Sequence, residues 1–135
     1  MNARHPLTLA LPFAGFGIAG WALENTLAPS PRYSALFGEA RVPFLPIYAF
    51  GGTTLLLLAP RLRSSGISWP LRATIYAGIL TALELAGCAI DRNVLGARSW
   101  TYDPRGSYKG LAGCVDPVHA LLWAAAGLAM ETLVT

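Results

Sequence analysis

Apolar residues in this chain gather into four long runs separated by short polar segments. They do not alternate at the period of two that marks a half-buried strand. The first run spans Pro6–Ala28, the second Pro43–Pro60, the third Trp69–Ile90, and the fourth Val115 to about Val134. A transmembrane helix needs about 20 apolar residues, so each run predicts one span. The expected fold is all-α: an integral membrane four-helix bundle, one polytopic domain over 1–135, with helices at about 6–28, 43–60, 69–90 and 115–134.

Local chemistry adjusts this picture at three places. The first run has the basic start of a signal peptide in Arg4 and His5, but Trp21 and Glu24 interrupt it and Pro29 follows the only small-residue site. It is therefore read as a helix that stays in the membrane. The second run opens with Pro43-Phe44-Leu45-Pro46, which disfavours regular helix there. A broken or re-entrant first turn is expected, tolerated at membrane depth only where protein or a cavity surrounds it. The segment Asp91–Gly113 carries Trp100, Tyr102, Asp103, Tyr108 and Lys109. Aromatic rings favour the headgroup level, so this loop is expected to lie against the membrane.

Composition agrees with insertion. The chain is 54% hydrophobic and 13% charged, with a net charge of +3, a mean hydropathy of +0.48 and a pI near 9.2. Soluble domains carry roughly 25% charged residues. The ten Lys and Arg are scattered between apolar runs, so they read as interface charges and exclude a nucleic-acid partner. Membrane lipids are the expected surroundings and the bacterial inner membrane the expected location. Arg72 is placed to snorkel to the interface.

Orientation is contested within the sequence. The N-terminal side holds Arg4, Arg61, Arg63 and Arg72, whereas the other holds Arg32, Arg41, Arg92, Arg98, Arg105 and Lys109. The tally favours the N-terminus outside. The compact, acid-free Arg61–Arg72 group and Arg4 ahead of the first helix favour it inside, which is the expected orientation.

The acids carry the most information. In an up-down bundle Glu24, Glu84, Asp91, Asp116 and His119 all fall near one membrane face, beside Pro46-Ile47-Tyr48. Helical spacing puts Gly17, Trp21 and Glu24 on one face, and likewise Glu84, Cys88 and Asp91, and Asp116, His119 and Trp123. A charged group at the centre of a span costs about 2.5–3.5 kcal/mol on insertion scales, so such groups turn inward, pair, or stay protonated. Structural roles stand beside functional ones. Glu24 and Glu84 can pair with Arg41, Arg92 or Arg98 as interhelical glue. Asp116, before Pro117, suits a helix cap. His119 suits a hydrogen-bonded helix histidine, a proton carrier or a metal ligand. Glu131, near the opposite face, is read as solvated.

No metal site is assigned, because no spacing such as HExxH accompanies Glu24, Glu84, Asp116 and His119. No cofactor is implied: the residues contain no Gly-rich phosphate loop, nucleophile elbow or Walker sequence. Cys88 and Cys114 lie at facing helix ends and can bond if that face is extracytoplasmic. They lack the CxxC spacing of a redox pair. Gly15, Gly17, Ala19 and Gly20 allow close helix packing.

Four elements in order resemble a known family: Gly20-Trp21-Ala22-Leu23-Glu24, then Pro43-Phe44-Leu45-Pro46-Ile47-Tyr48-Ala49-Phe50-Gly51, Leu83-Glu84, and Trp100-Thr101-Tyr102-Asp103. The pattern resembles the Putative ABC-transporter type IV membrane proteins, themselves similar to the animal transmembrane protein 229 group. That family's elements are GWxxE-like, GPxxPIYGFG-like, a late Glu in the third helix, and WDYS-like. Here Arg41-Val42-Pro43 stands for Gly-Pro before the second element, Ala49 for its first Gly, and the acid of the fourth moves to Asp103. The resemblance covers nearly the whole chain and implies a helical membrane protein of transporter type.

The functional expectation is a small or lipid-like ligand held in a carboxylate-lined site near one face. Glu24, Glu84 and His119 are the candidate catalytic groups, and Trp21, Tyr48, Asp91, Trp100, Tyr102, Asp103, Asp116 and Trp123 the candidate ligand-binding groups. A carboxylic acid kept neutral in an apolar pocket supplies isomerase- or cyclase-type acid–base chemistry. The alternatives are an ion- or proton-coupled transport component and a structural subunit. A homodimer or a larger membrane complex is the expected assembly.

Overall fold

The computed structural model describes residues 7–27, 45–96 and 113–134, which form four helices and contain no strand. These are α1 (Leu7–Leu27), α2 (Pro46–Ser64), α3 (Trp69–Asn93) and α4 (Pro117–Val134). The expected polar loop at 29–42 lies outside the described residues, as does 97–112 of the loop expected at Asp91–Gly113, whose first residues, Asp91–Asn93, instead continue α3.

Proline sets three of the four starts. Pro46 and Pro117 are the first residues of their helices and Pro70 the second in α3, positions where a missing N–H costs nothing. The second helix thus begins at Pro46 rather than Pro43. Leu45 before it is extended, with φ −116° and ψ 107°, as a residue preceding proline prefers. Its N–H is donated to the Gly17 carbonyl of α1 at 2.9 Å, which satisfies the irregular backbone internally. At its other end α2 runs past Pro60 to Ser64. Proline removes one donor to the preceding turn, and the helix continues for another turn. The α2–α3 connection turns at Gly66, with φ +76°, and the Ser65 hydroxyl donates to the Leu62 carbonyl.

α2 is the central element: it packs against α1, α3 and α4, while α3 and α4 pack on each other. α1 lies on the outer side of α2, so the helices form a three-helix core with a fourth applied to it. Aromatic rings seated on glycines hold the contacts. Phe16 of α1 covers Gly52 of α2, Tyr48 of α2 covers Gly20 of α1, and Tyr76 of α3 covers Gly127 of α4. Phe13 meets Phe50 edge-on at 5.0 Å. Of the small residues expected to allow close approach, Gly17 and Gly20 are buried, while Gly15 and Ala19 face outward.

The main core joins Leu55 and Ala59 of α2 to Tyr76 and Leu80 of α3, with Trp123, Ala126, Leu128 and Met130 of α4 against them. A smaller cluster of Cys88, Cys114 and Val115, with Leu85, closes one end. α3 and α4 are long and apolar enough to cross a membrane, yet only 22% and 11% of their most apolar stretches are buried. A soluble core helix would be mostly covered. Instead Val118, Leu121, Leu122 and Leu133 of α4 face outward, as lipid contact requires. At 1.5 Å per residue the helices rise about 27–38 Å, against a hydrocarbon core of about 30 Å.

Candidate functional site

The carboxylate end is built from the last turns of α1 and α3 and the first turns of α2 and α4. Gly20 leaves room for the Tyr48 ring, because a Cβ there would lie 2.1 Å from Tyr48 Cγ. One turn further along α1, the Tyr48 hydroxyl donates to Glu24 Oε1 at 2.6 Å. Trp123 of α4 meets the Tyr48 ring edge-on, with centroids 6.1 Å apart. Glu84 of α3 is buried and lies within electrostatic reach of the Tyr48 hydroxyl. Four helices therefore contribute to one neighbourhood centred on Tyr48.

α3 presents Tyr76, Leu80, Glu84, Cys88 and Asp91 on its buried face. The i, i+4, i+7 spacing that grouped Glu84, Cys88 and Asp91 in the sequence is the packing face of the helix. Asp91 and Cys88 are each 1% exposed. Cys88 is bonded to Cys114, 26 residues later, with their Cα atoms 5.8 Å apart. This link pins the end of α3 to the residues leading into α4.

Asp116 caps α4. Its Oδ1 accepts the Val118 N–H at 3.0 Å and its Oδ2 lies 2.8 Å from His119 Nδ1. The His119 hydrogen bond, then the Val118 N–H, hold the Asp116 carboxyl below the usual carboxylate range. Asp116 and His119 pair with each other at the helix end, while Trp123, one turn deeper, reaches Tyr48. Trp21 is partly buried, and its carbonyl accepts from Asn25 Nδ2. Trp100, Tyr102 and Asp103 lie outside the described residues, as do Arg41 and Arg98. Among the described residues no three His, Cys, Asp or Glu side chains converge as a metal set.

The opposite end holds a polar cluster the sequence reading missed. Glu131 is not solvated: it is 3% exposed. Its Oε1 accepts from Arg72 Nε at 2.7 Å and from the Tyr76 hydroxyl at 2.8 Å, and its Oε2 from Arg72 Nη2 at 3.0 Å. Arg63 of α2 donates to the Glu131 backbone carbonyl at 3.0 Å, and Arg72 also reaches the Ile67 carbonyl. Arg72 thus turns inward to a carboxylate instead of snorkelling. The signal was present in the antiparallel order of α3 and α4, which sets residues near the start of one beside those near the end of the other.

A family model described as Putative ABC-transporter type IV matches residues 11–135. The chain belongs to this family. The match spans all four helices, and so both the Glu24–Tyr48 pair and the Arg72–Glu131 cluster lie within it. No curated protein and no solved structure matches the chain. The further relation to the transmembrane protein 229 group is not part of what the match establishes. Membership of this family places the chain among transporter-related membrane proteins, in keeping with its two apolar spans.

Proposed function

We propose that the protein is an integral membrane component of transport type that holds a small or lipid-like ligand at Glu24, Tyr48 and Glu84. The observation that supports this reading is the 2.6 Å bond from Tyr48 to Glu24, with the buried Glu84 near enough for its charge to act on the Tyr48 hydroxyl and the Trp123 ring alongside. A carboxylate only accepts hydrogen bonds, and an aromatic face attracts cations. The ligand class that fits carries a cationic or hydrogen-bond-donating head group and an apolar body that remains among lipid. Intramembrane acids facing a protein interior commonly mark ion, proton or substrate pathways. The family match favours transport over acid–base catalysis, although the same carboxylates would serve either.

The test is native mass spectrometry of the protein in lipid nanodiscs, comparing wild type with Glu24→Gln and Glu84→Gln. The expected result is a defined small-molecule adduct on wild type that both variants lose while remaining folded. Bare protein in all three would defeat the proposal. An adduct retained equally by the variants would place the ligand elsewhere and leave these acids as interhelical glue. The same spectra read the subunit number, which tests the expected homodimer or larger complex.

A further inference from the structure

The two ends of the molecule carry different chemistry, and together they determine which way it faces. We infer that the carboxylate end faces the oxidising, extracytoplasmic side of the membrane, which puts Glu24 and Tyr48 on that side. The Arg61–Arg72 end, with the start of α1 and the end of α4, then lies in the cytoplasm. This goes beyond the functional reading above and stands whether or not a ligand binds.

The deciding observation is the Cys88–Cys114 bond. Its 5.8 Å Cα separation lies within the range of about 4.4–6.8 Å that a disulfide requires. Both cysteines are buried in the cluster that closes this end. Disulfides persist in oxidising compartments and are rare where cytosolic thiols keep cysteines reduced. The bond lies three residues before Asp91 on α3 and two before Asp116 at α4. Glu84 is one turn deeper, about 6 Å. The compartment that oxidises the cysteines is therefore the one that the carboxylate end faces.

The other end supplies a second argument. Arg61, Arg63 and Arg72 lie close together around a short turn. Glu131, which Arg63 and Arg72 both reach, pairs its carboxylate with Arg72, and Arg61 and Arg63 are exposed. Basic residues on a short loop at the end of a span are those the positive-inside rule weighs most. The raw count from chain order runs the other way: the segments that follow the first and third apolar runs hold Arg32, Arg41, Arg92, Arg98, Arg105 and Lys109, against Arg4, Arg61, Arg63 and Arg72. Charge counting and thiol chemistry thus predict opposite orientations. The disulfide carries more weight, because a tally is a bias on insertion whereas the bond needs an oxidising compartment to persist.

The experiment uses the full chain in bacterial cells, fused after Thr135 to either green fluorescent protein or alkaline phosphatase. Cytoplasmic placement gives a fluorescent first fusion and an inactive second. An active phosphatase, or comparable activity of both reporters, overturns the inference. In parallel, cells producing the unfused protein are lysed into N-ethylmaleimide, denatured, and treated with polyethylene-glycol maleimide before and after reduction. Two adducts only after reduction are expected, and both thiols blocked at lysis would overturn the inference. For the site itself, Glu24→Cys is expected to react in intact cells with a membrane-impermeant thiosulfonate. Reaction only after permeabilisation would place the site on the cytoplasmic side. None of these readouts involves ligand, so their failure is distinct from failure of the binding proposal.

Discussion

Replacing Gly127 by alanine tests the packing that holds α3 to α4. A Cβ at this position would lie 2.1 Å from Tyr76 Cγ and 2.3 Å from Cδ2. Ordinary carbon contacts sit at about 3.5–4.0 Å, so the ring must retreat by about 1.5 Å. Tyr76 is fully buried, and its hydroxyl is fixed to Glu131 Oε1 at 2.8 Å. Overpacking costs about 1–3 kcal/mol, and losing the hydroxyl bond adds about 1 kcal/mol. Helix propensity offsets about 0.5–1 kcal/mol of this, because glycine is the poorer helix former. The net expectation is a loss of about 2 kcal/mol.

Gly78 supplies the matched control. It lies on α3 with nothing within 4 Å of where its Cβ would stand, so Gly78→Ala should gain the propensity term alone, about 0.5–1 kcal/mol. The two variants should therefore differ by about 3 kcal/mol in unfolding followed by circular dichroism across an SDS titration in mixed micelles. Equal stability to within about 0.5 kcal/mol would refute the seating of Tyr76 on Gly127. Removing the ring should relieve the clash, so Tyr76→Ala combined with Gly127→Ala should cost less than the sum of the single changes. Strict additivity would refute the same reasoning.

Three other outcomes follow from the contacts. Tyr48→Phe keeps the ring on Gly20 and deletes its bond to Glu24, so thermal stability in nanodiscs should fall modestly, by about 0.5–1.5 kcal/mol; a larger collapse would mean the hydroxyl holds α1 in place. Reducing the Cys88–Cys114 bond releases a loop closed by residues 26 apart, which chain entropy values at about 3.5 kcal/mol. The melting temperature should drop with dithiothreitol, and an unchanged value would show that the bond constrains little. Asp116 titrates below its ordinary value because His119 and the Val118 N–H favour its charged form, so its contribution is present above about pH 4 and is lost as pH falls through the folded value. Asp116→Asn should flatten that acid limb in a pH series of thermal melts, and an unaltered limb would assign it to other carboxylates.

How far the sequence could be read depended on whether a feature is local to one helix. The buried face of α3 was legible because Glu84, Cys88 and Asp91 fall at one helical spacing, and burying two acids beside a cysteine makes sense only on an inner face. The Asp116 cap was legible from Asp-Pro at a helix start. The start of α2 was not, because an apolar string containing Pro43 and Pro46 does not say which of them begins the helix. The position of α1 outside α2 was hidden as well, since length and hydropathy are the same for a core helix and for one applied to a core. Glu131 shows the limit most clearly. Its burial depends on the register between two antiparallel helices, which brings Arg72 and Tyr76 opposite it, and no pattern within α4 records that register. Trp100, Tyr102 and Asp103 lie outside the described residues and remain expectations.

The contrast between Glu131 and Glu24 separates structural acids from candidate binding acids better than burial does. Both oxygens of Glu131 accept hydrogen bonds, two from a guanidinium and one from a phenol. At 3% exposure, with both oxygens engaged, this carboxylate joins α3 to α4. Glu24 is only partly buried, and among the described residues its side-chain hydrogen bond is the one from Tyr48, at Oε1. It lies beside the Tyr48–Trp123 ring pair, at the end of the protein away from Arg63 and Arg72. Each carboxylate is paired with a tyrosine whose ring is seated on a glycine, Tyr76 on Gly127 and Tyr48 on Gly20, so the two ends share one packing device. What differs is the arginine. Arg72 closes the Glu131 cluster as a structural joint, whereas the described contact of Glu24 is a phenol, and a carboxylate accepts from the donors of a cationic or hydrogen-bond-donating head group as it does from that phenol.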